Sequence, residues 1–243
     1  MSKTFSGLGQ TMVEAYGWGA SAKAASAPFH SWTEVLAAPR LEGTEELKAA
    51  LAALLEQEGL GIGIFEKADL VMDGFPAFEE LREYLIDLCV VRLLSELDED
   101  PEVFESPQWM EIEDATADRG TELLNVLVYI QGCKLADTEP DLEDFLYEFL
   151  LADEEEYQEE LEIYEPFIQH MKAIEAPLKQ LIQIGNHGQD SEMREIFTPV
   201  MLFFREAEEK PGKLTLALLE GSALPELHCA LYRLLCDAFK AEI

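Results

Sequence analysis

Basic residues are scarce in this chain of 243 residues, which carries 17 Lys and Arg against 50 Asp and Glu and has a formal net charge of −33. Such a surface repels nucleic acids, because binding to their phosphates depends on Lys and Arg. The composition does not indicate disorder, since 48% of the residues are hydrophobic and supply the material of a core. We therefore expect a folded protein that does not bind nucleic acid directly.

Long apolar runs are missing as well. The longest stretch without a charged residue is the eleven residues from Leu123 to Cys133, whereas a membrane-spanning helix needs about 20. The segment from Met1 to Val13 lacks the basic and then apolar layout of a secretory signal. These absences predict a cytoplasmic protein with no membrane partner.

Cysteine and histidine are few and widely spaced. No CxxC pair and no HExxH occurs, which argues against the common zinc sites, and GxSxG, the motif of one class of serine hydrolases, is absent. Three of the four cysteines lie in apolar stretches, as small core residues do. We expect reduced thiols, a structural role for His228 beside an apolar helix stripe, and no cofactor. The eight residues are Cys89, Cys133, Cys229, Cys236, His30, His170, His187 and His228.

Apolar residues instead recur at the spacing of amphipathic helices. After Pro140, residues Leu142, Phe145 and Leu146 begin an apolar stripe that continues at Phe149 and Leu150. Several helix starts are indicated by a capping residue or a first-turn proline. These starts lie at Thr44, Pro76, Ser106-Pro107, Pro140, Thr198-Pro199 and Pro225.

These signals predict an all-α protein, an irregular bundle of about eight helices. We assign residues 44–243 to one acidic helical domain. Residues 1–43 are rich in Gly, Ala and Ser and are predicted to form an N-terminal appendage, either an extended arm or a poorly packed helix. The one segment that resembles a strand is Leu60 to Phe65, which is too little for a sheet.

Paired carboxylates suggest one enzymatic alternative. Some all-helical nucleotide pyrophosphatases bind Mg²⁺ through carboxylates three residues apart on neighbouring helices, and such side chains share a helix face. Glu80 with Glu83, and Glu111 with Asp114, fit this spacing. Glutamate is so frequent in the chain that several such pairs are expected by chance. A Mg²⁺-dependent pyrophosphohydrolase is therefore the alternative and not the principal hypothesis.

The strongest signal is the distribution of charge. Residues 96–165, here called the acidic belt, contain 25 Asp and Glu against two basic residues. A single-sign field of this kind attracts basic surfaces. Trp109, Tyr147, Tyr157 and Tyr164 lie in the same region and are candidate aromatic anchors, although each also suits a core.

The sequence thus favours a non-enzymatic binding protein, such as an adaptor, an inhibitor, an immunity-type protein or a chaperone-like protein. Its expected partner is a basic protein that docks on the acidic belt, and mimicry of DNA by carboxylates is a special case. We predict that six glutamates form the centre of this surface. They are Glu154, Glu155, Glu156, Glu159, Glu160 and Glu162.

Overall fold

The structure is a computed structural model that describes residues 2–24, 31–59, 61–97, 107–116, 119–150, 164–187, 191–205 and 211–240. Every regular element within these ranges is helical, which confirms the predicted all-α class. The α-helices are α1 (Ser2–Ala24), α2 (Trp32–Ala37), α3 (Thr44–Leu55), α4 (Gly63–Asp73), α5 (Arg82–Leu97), α6 (Pro107–Thr116), α7 (Leu123–Ala136), α8 (Leu142–Leu150), α9 (residues 164–169), α10 (Leu178–Asn186), α11 (Ser191–Phe204), α12 (Pro211–Gly221) and α13 (Pro225–Lys240). Two 3₁₀ segments, Pro76–Leu81 and Met171–Glu175, precede α5 and α10.

The described residues thus hold more helices than the eight predicted. The main difference lies at the N-terminus, where the structure has a long buried helix in place of an arm. The side chains of Met12, Val13 and Ala15 on α1 are completely buried. This helix packs most extensively against α13 and then against α3, so it belongs to the common core.

Small residues explain how α1 reaches this central position. A Cβ atom on Gly19 would overlap the backbone of Glu226 at the start of α13, and one on Gly9 would lie 2.9 Å from the Leu55 side chain on α3. Glycine at these positions lets the helix axes approach closely. The same residues that suggested a weakly packed arm therefore permit close helix packing.

The segment predicted as a strand also differs. Gly59 and Gly61 have φ values of 70° and 48°, a left-handed conformation that glycine adopts without strain, and α4 begins at Gly63. Ile64, Phe65 and Ala68 are buried on one face of α4. Burial of a helical face against α3 and α5 outweighs the local preference of a short apolar run for strand.

The interior also contains polar groups with defined partners. Arg92 on α5 is 2% exposed, and its guanidinium donates hydrogen bonds to the carbonyl oxygens of Leu54, at 3.3 Å, and Gln57, at 2.6 Å. These carbonyls lie at the C-terminal end of α3, where helical partners are missing. The buried arginine therefore joins α5 to the end of α3.

Candidate functional site

The acidic belt is only partly covered by the described residues. Its predicted centre, the six glutamates between 154 and 162, lies in the segment 151–163 outside those residues. The remainder of the belt includes α6, α7, α8 and the turn that joins α7 to α8.

Most carboxylates in the described part of the belt face solvent, and the exception is the half-buried Glu122. Asp141 also has a structural role, because its Oδ1 accepts hydrogen bonds from the backbone N–H groups of Glu143, at 2.8 Å, and Asp144, at 3.2 Å, and so caps α8. The exposed carboxylates are Glu111, Glu113, Asp114, Asp137, Glu139, Asp141, Glu143, Asp144 and Glu165. This part of the belt is therefore a solvated acidic surface.

Neither cation of the belt neutralises it. Arg119 directs its guanidinium at Asp69 on α4, with an Nη1 to Oδ2 distance of 2.8 Å, and at Glu83 on α5, with an Nη2 to Oε1 distance of 3.5 Å. Lys134 donates from Nζ to the carbonyl oxygen of Ala238 at 2.9 Å. Among the ion pairs between described residues, none includes a carboxylate of the belt.

Arg82 and Arg119 both form ion pairs with Asp69, and the resulting cluster has a structural role. Nη1 of Arg82 lies 3.0 Å from Asp69 Oδ1, and its other guanidinium nitrogens contact Asp73 at 2.9 Å and Glu79 at 2.7 Å. Partial burial raises the pKa of Asp69, but hydrogen bonds from Arg119 and Arg82 outweigh this effect, so the net shift is downward. These ion pairs connect α4, the 3₁₀ segment before α5 and the loop that precedes α7.

Asp87 on α5 binds the loop that precedes α7 from inside the core. It is fully buried and accepts hydrogen bonds from the backbone N–H of Thr121 at 2.9 Å and from its hydroxyl at 2.7 Å. Gly120 has a φ of 89°, and a Cβ there would lie 2.8 Å from Asp87 Oδ1. The loop is therefore held against α5 by groups that leave no room for a larger residue.

Two of the four carboxylates of the enzymatic alternative accept hydrogen bonds from protein groups. Glu80 accepts a hydrogen bond from the Tyr16 hydroxyl at 2.9 Å, and Glu83 accepts one from the Gly120 N–H at 3.1 Å. Glu111 and Asp114 are exposed on α6. Within the described part of the chain, no three Asp, Glu, His or Cys side chains lie close enough together to hold a metal ion.

The candidate aromatic anchors differ in burial. Tyr164 is 4% exposed, donates from its hydroxyl to Glu122 at 2.6 Å and accepts from the Asn125 amide at 2.7 Å, so it is a core residue. Trp109 is half-buried and packs against the core. Tyr147 on α8 is 69% exposed. Tyr157 lies outside the described residues, which leaves Tyr147 as the accessible anchor among those described.

Tyr147 borders a surface groove of about 620 Å³ between α7 and α8. Glu139 and Asp144 lie on the same groove, and the backbone approaches it at Gly132. An aromatic ring beside two carboxylates is suited to a cationic side chain, because the cation interacts with both the charges and the ring face. The sequence pointed to Tyr147 and to the acidic belt but not to this groove, which depends on how two helices pack.

His228, predicted as a half-buried structural residue beside the apolar stripe of the last helix, lies inside the core. It is fully buried on α13, where Nδ1 lies 2.8 Å from the Ser222 hydroxyl oxygen and Nε2 lies 3.0 Å from the Arg194 carbonyl oxygen. Burial lowers its pKa to about 4, so the imidazole is neutral at pH 7. The Ser222 hydroxyl also accepts a hydrogen bond from the Leu224 N–H at 2.9 Å, so this pair holds together the start of α13.

The four cysteines are free thiols. Cys89, Cys133 and Cys229 are buried, and Cys236 is partly buried. Burial raises the pKa of Cys89 to about 12, which keeps this thiol protonated and poorly nucleophilic at neutral pH.

None of the described helices combines the length and the apolar character required to cross a membrane. Comparisons with family models, with curated proteins and with solved structures found no match for this chain.

Proposed function

We propose that the protein is a non-enzymatic binding protein that presents an acidic helical surface to a basic protein partner. The observation that carries the proposal is that both cations of the acidic belt are directed away from its carboxylates, Arg119 toward Asp69 and Glu83 and Lys134 toward Ala238. The two cations of the belt therefore do not neutralise its 25 acidic residues. A complementary basic surface supplies that neutralisation and gains association rate from the attractive field.

The α7–α8 groove adds a specific contact to this long-range attraction. Its residues Glu139, Asp144 and Tyr147 suit an Arg or Lys side chain of the partner. Leu135, which precedes the groove residue Ala136 in the sequence, is 63% exposed and provides apolar area at the end of α7. Interfaces commonly combine such an aromatic anchor with a charged rim. The partner class includes proteins that bind nucleic acids, for which the belt would act as a mimic of DNA.

The test begins with capture of partners from the source organism at low and moderate salt, followed by purified binding measurements. The first variant replaces the six central glutamates, Glu154, Glu155, Glu156, Glu159, Glu160 and Glu162, by Gln. We expect a slower association rate and a weaker affinity for the captured basic protein, with a smaller dependence on salt than the wild type shows.

A matched control removes the same number of charges elsewhere. It replaces Glu42, Glu46, Glu56, Glu58, Glu175 and Glu220 by Gln, all of which are exposed and lie outside the belt. If the two variants bind the partner equally well, the effect is one of net charge, and the belt is not the interface. Undiminished binding by the belt variant, with an unchanged melting temperature, likewise excludes the belt.

A second variant tests the groove separately by combining Glu139→Gln, Asp144→Asn and Tyr147→Ala. These side chains are exposed, so folding should be preserved. We expect faster dissociation of the partner, because anchors that are desolvated in a complex act mainly on the dissociation rate. An unchanged dissociation rate would place the contact elsewhere on the belt.

A further inference from the structure

The groove between α7 and α8 is large enough for either kind of basic side chain. Its volume is about 620 Å³, and four of the residues that line it, Thr138, Glu139, Asp144 and Tyr147, are exposed. Such a groove admits the whole stem of a lysine or an arginine, and it does not exclude water. Size therefore does not select between the two cations, and the selection depends on the chemistry of the groove.

Some polar groups of the groove are already bonded within the protein. The Tyr129 hydroxyl donates to the Asp141 carbonyl oxygen and accepts from the Asp141 N–H, both at 3.1 Å. The Thr138 hydroxyl donates to the Cys133 carbonyl oxygen at 3.4 Å, and the Cys133 side chain is buried. These groups shape the groove and have little capacity left for a ligand.

Three other side chains of the groove are available to a ligand. Within the described part of the chain, the carboxylates of Glu139 and Asp144 form no ion pair, and the Tyr147 ring is 69% exposed. Asp144 and Tyr147 lie three residues apart on α8 and so share one face of this helix. The group that complements them is a cation that also lies against an aromatic ring.

The α7 side of the groove lacks large side chains. Gly132 and Ala136 line it, are both exposed, and lie four residues apart on one face of α7. A Cβ atom on Gly132 would meet no atom within 4 Å. The aliphatic stem of a basic side chain therefore has room along α7, while its charged end reaches the carboxylates.

Arginine and lysine differ most where water is present. The ammonium of lysine is compact and strongly hydrated, so an open groove gives it little that water does not already supply. The guanidinium of arginine is planar and more weakly hydrated, stacks on aromatic faces and binds carboxylates through two parallel hydrogen bonds. Arg40 and Arg233 make such ring contacts with Trp18 in this molecule.

We infer that the groove selects arginine over lysine, so that the residue of the basic partner that fills it is an arginine. Its guanidinium lies against the Tyr147 ring and donates hydrogen bonds to Glu139 and Asp144. This inference rests on the proposed function, since it specifies one contact of the basic partner.

The experiment titrates the full chain, labelled with nitrogen-15, with the peptides acetyl-Lys-Gly-X-Gly-Lys-amide, in which X is Arg, Lys or norleucine. The Arg and Lys peptides carry the same charge, so the long-range attraction by the acidic protein is equal for both. The amide chemical shifts of Gly132, Ala136 and Tyr147 report binding in the groove. We expect the Arg peptide to bind about threefold more tightly than the Lys peptide, as a cation–π contact at an exposed site provides, and the norleucine peptide to bind most weakly.

Two variants separate the ring from the charges. Tyr147→Leu removes the ring and keeps an apolar side chain, so the Arg and Lys peptides should bind it equally well. Glu139→Gln combined with Asp144→Asn should weaken binding of both peptides. Its matched control, Glu42→Gln combined with Glu220→Gln, removes two exposed carboxylates outside the belt and should weaken both peptides less.

A variant that fills the groove tests the location. Gly132→Leu places a side chain in the open space beside α7 and should abolish the shift changes at the groove. Gly132→Ala is the matched control, since it adds one methyl group at the same position and should retain binding.

The inference is overturned if the wild type binds the Arg and Lys peptides equally well, or if the preference for arginine survives in Tyr147→Leu. Shift changes that lie outside the groove and persist in Gly132→Leu also overturn it. These results leave the acidic belt as a partner surface untouched, because the variant with six Gln in the belt tests that proposal. Conversely, undiminished partner binding by that variant excludes the belt without changing the peptide preference measured at the groove.

Discussion

At the scale of single residues, His228 shows how a titratable group becomes structural. Its ring nitrogens face the Ser222 hydroxyl and the Arg194 carbonyl, and the ring is completely buried. With Nε2 donating to the carbonyl oxygen, the neutral imidazole accepts a hydrogen bond from the Ser222 hydroxyl at Nδ1. Protonation would oppose this arrangement and place a charge in the core.

This geometry predicts a loss of stability in acid. The folded pKa of about 4 lies below the ordinary value of 6.5, so the unfolded chain binds the proton first. Above pH 6.5 the neutral His228 makes its full contribution to the free energy of unfolding, which is about 3 kcal/mol for a pKa shift of this size. This contribution is lost as the pH falls toward 4. Urea unfolding of wild type and His228→Gln between pH 7.5 and 4.5 measures it.

The expected result is a difference in unfolding free energy between the two proteins that narrows as the pH falls. His187→Gln provides the matched control, since it makes the same substitution at an exposed histidine. A constant difference across the range would show that His228 is not held neutral in the folded state.

At the scale of elements, the contact between α1 and α13 is the most extensive in the described fold. It depends on the absence of a side chain at Gly19, where the backbone of Glu226 lies in the space that a Cβ would fill. Lys23 on the next turn of α1 adds an ion pair with Glu226 at 2.8 Å. The ring of Trp18 makes cation–π contacts with the guanidinium groups of Arg40 and Arg233, at 5.6 and 5.9 Å from the ring centroid.

Gly19→Ala should therefore separate α1 from α13 and destabilise the protein by about 1–3 kcal/mol, the usual cost of overpacking. Gly7→Ala is the matched control, because it lies on the same helix and a Cβ there meets no atom within 4 Å. That substitution should stabilise the helix by about 0.5–1 kcal/mol. Denaturant unfolding measures the free energy of unfolding of both variants. Equal values would contradict the close packing of α1 against α13.

At the scale of the whole molecule, the uncompensated acidic belt should weaken the fold at low salt. Carboxylates that repel one another are closer in the folded state than in the expanded chain, and dissolved ions screen this repulsion. We expect the melting temperature to rise from low salt to several hundred millimolar NaCl, by about 2–4 °C for each kcal/mol of relief. Differential scanning calorimetry measures the rise.

The belt variant with six Gln substitutions should show a smaller rise than the variant with six Gln outside the belt. Equal slopes would mean that repulsion is spread over the whole surface. A melting temperature that does not change, or that falls with salt, would show that the belt is neutralised within the folded protein.

Local sequence signals determined the helical class and several boundaries. The stripe after Pro140 became α8 with Leu142, Phe145 and Leu146 buried, and α6 and α13 begin at the predicted prolines Pro107 and Pro225. Periodicity and first-turn prolines act through neighbouring residues, so they can be read without knowledge of the fold. Composition likewise established the charge of the belt, which depends on no contact.

Tertiary structure decided what depends on distant neighbours. The Gly-rich α1 is a helix because α13 and α3 cover it, and α11 continues through Pro199, predicted as a helix start, because Phe197 and Val200 on either side of it are buried in the core. The candidate sites follow the same rule, since the partners of Arg119 and Lys134 are distant in sequence. A sequence pattern reports the chemistry of each side chain, whereas packing between elements determines which groups it meets.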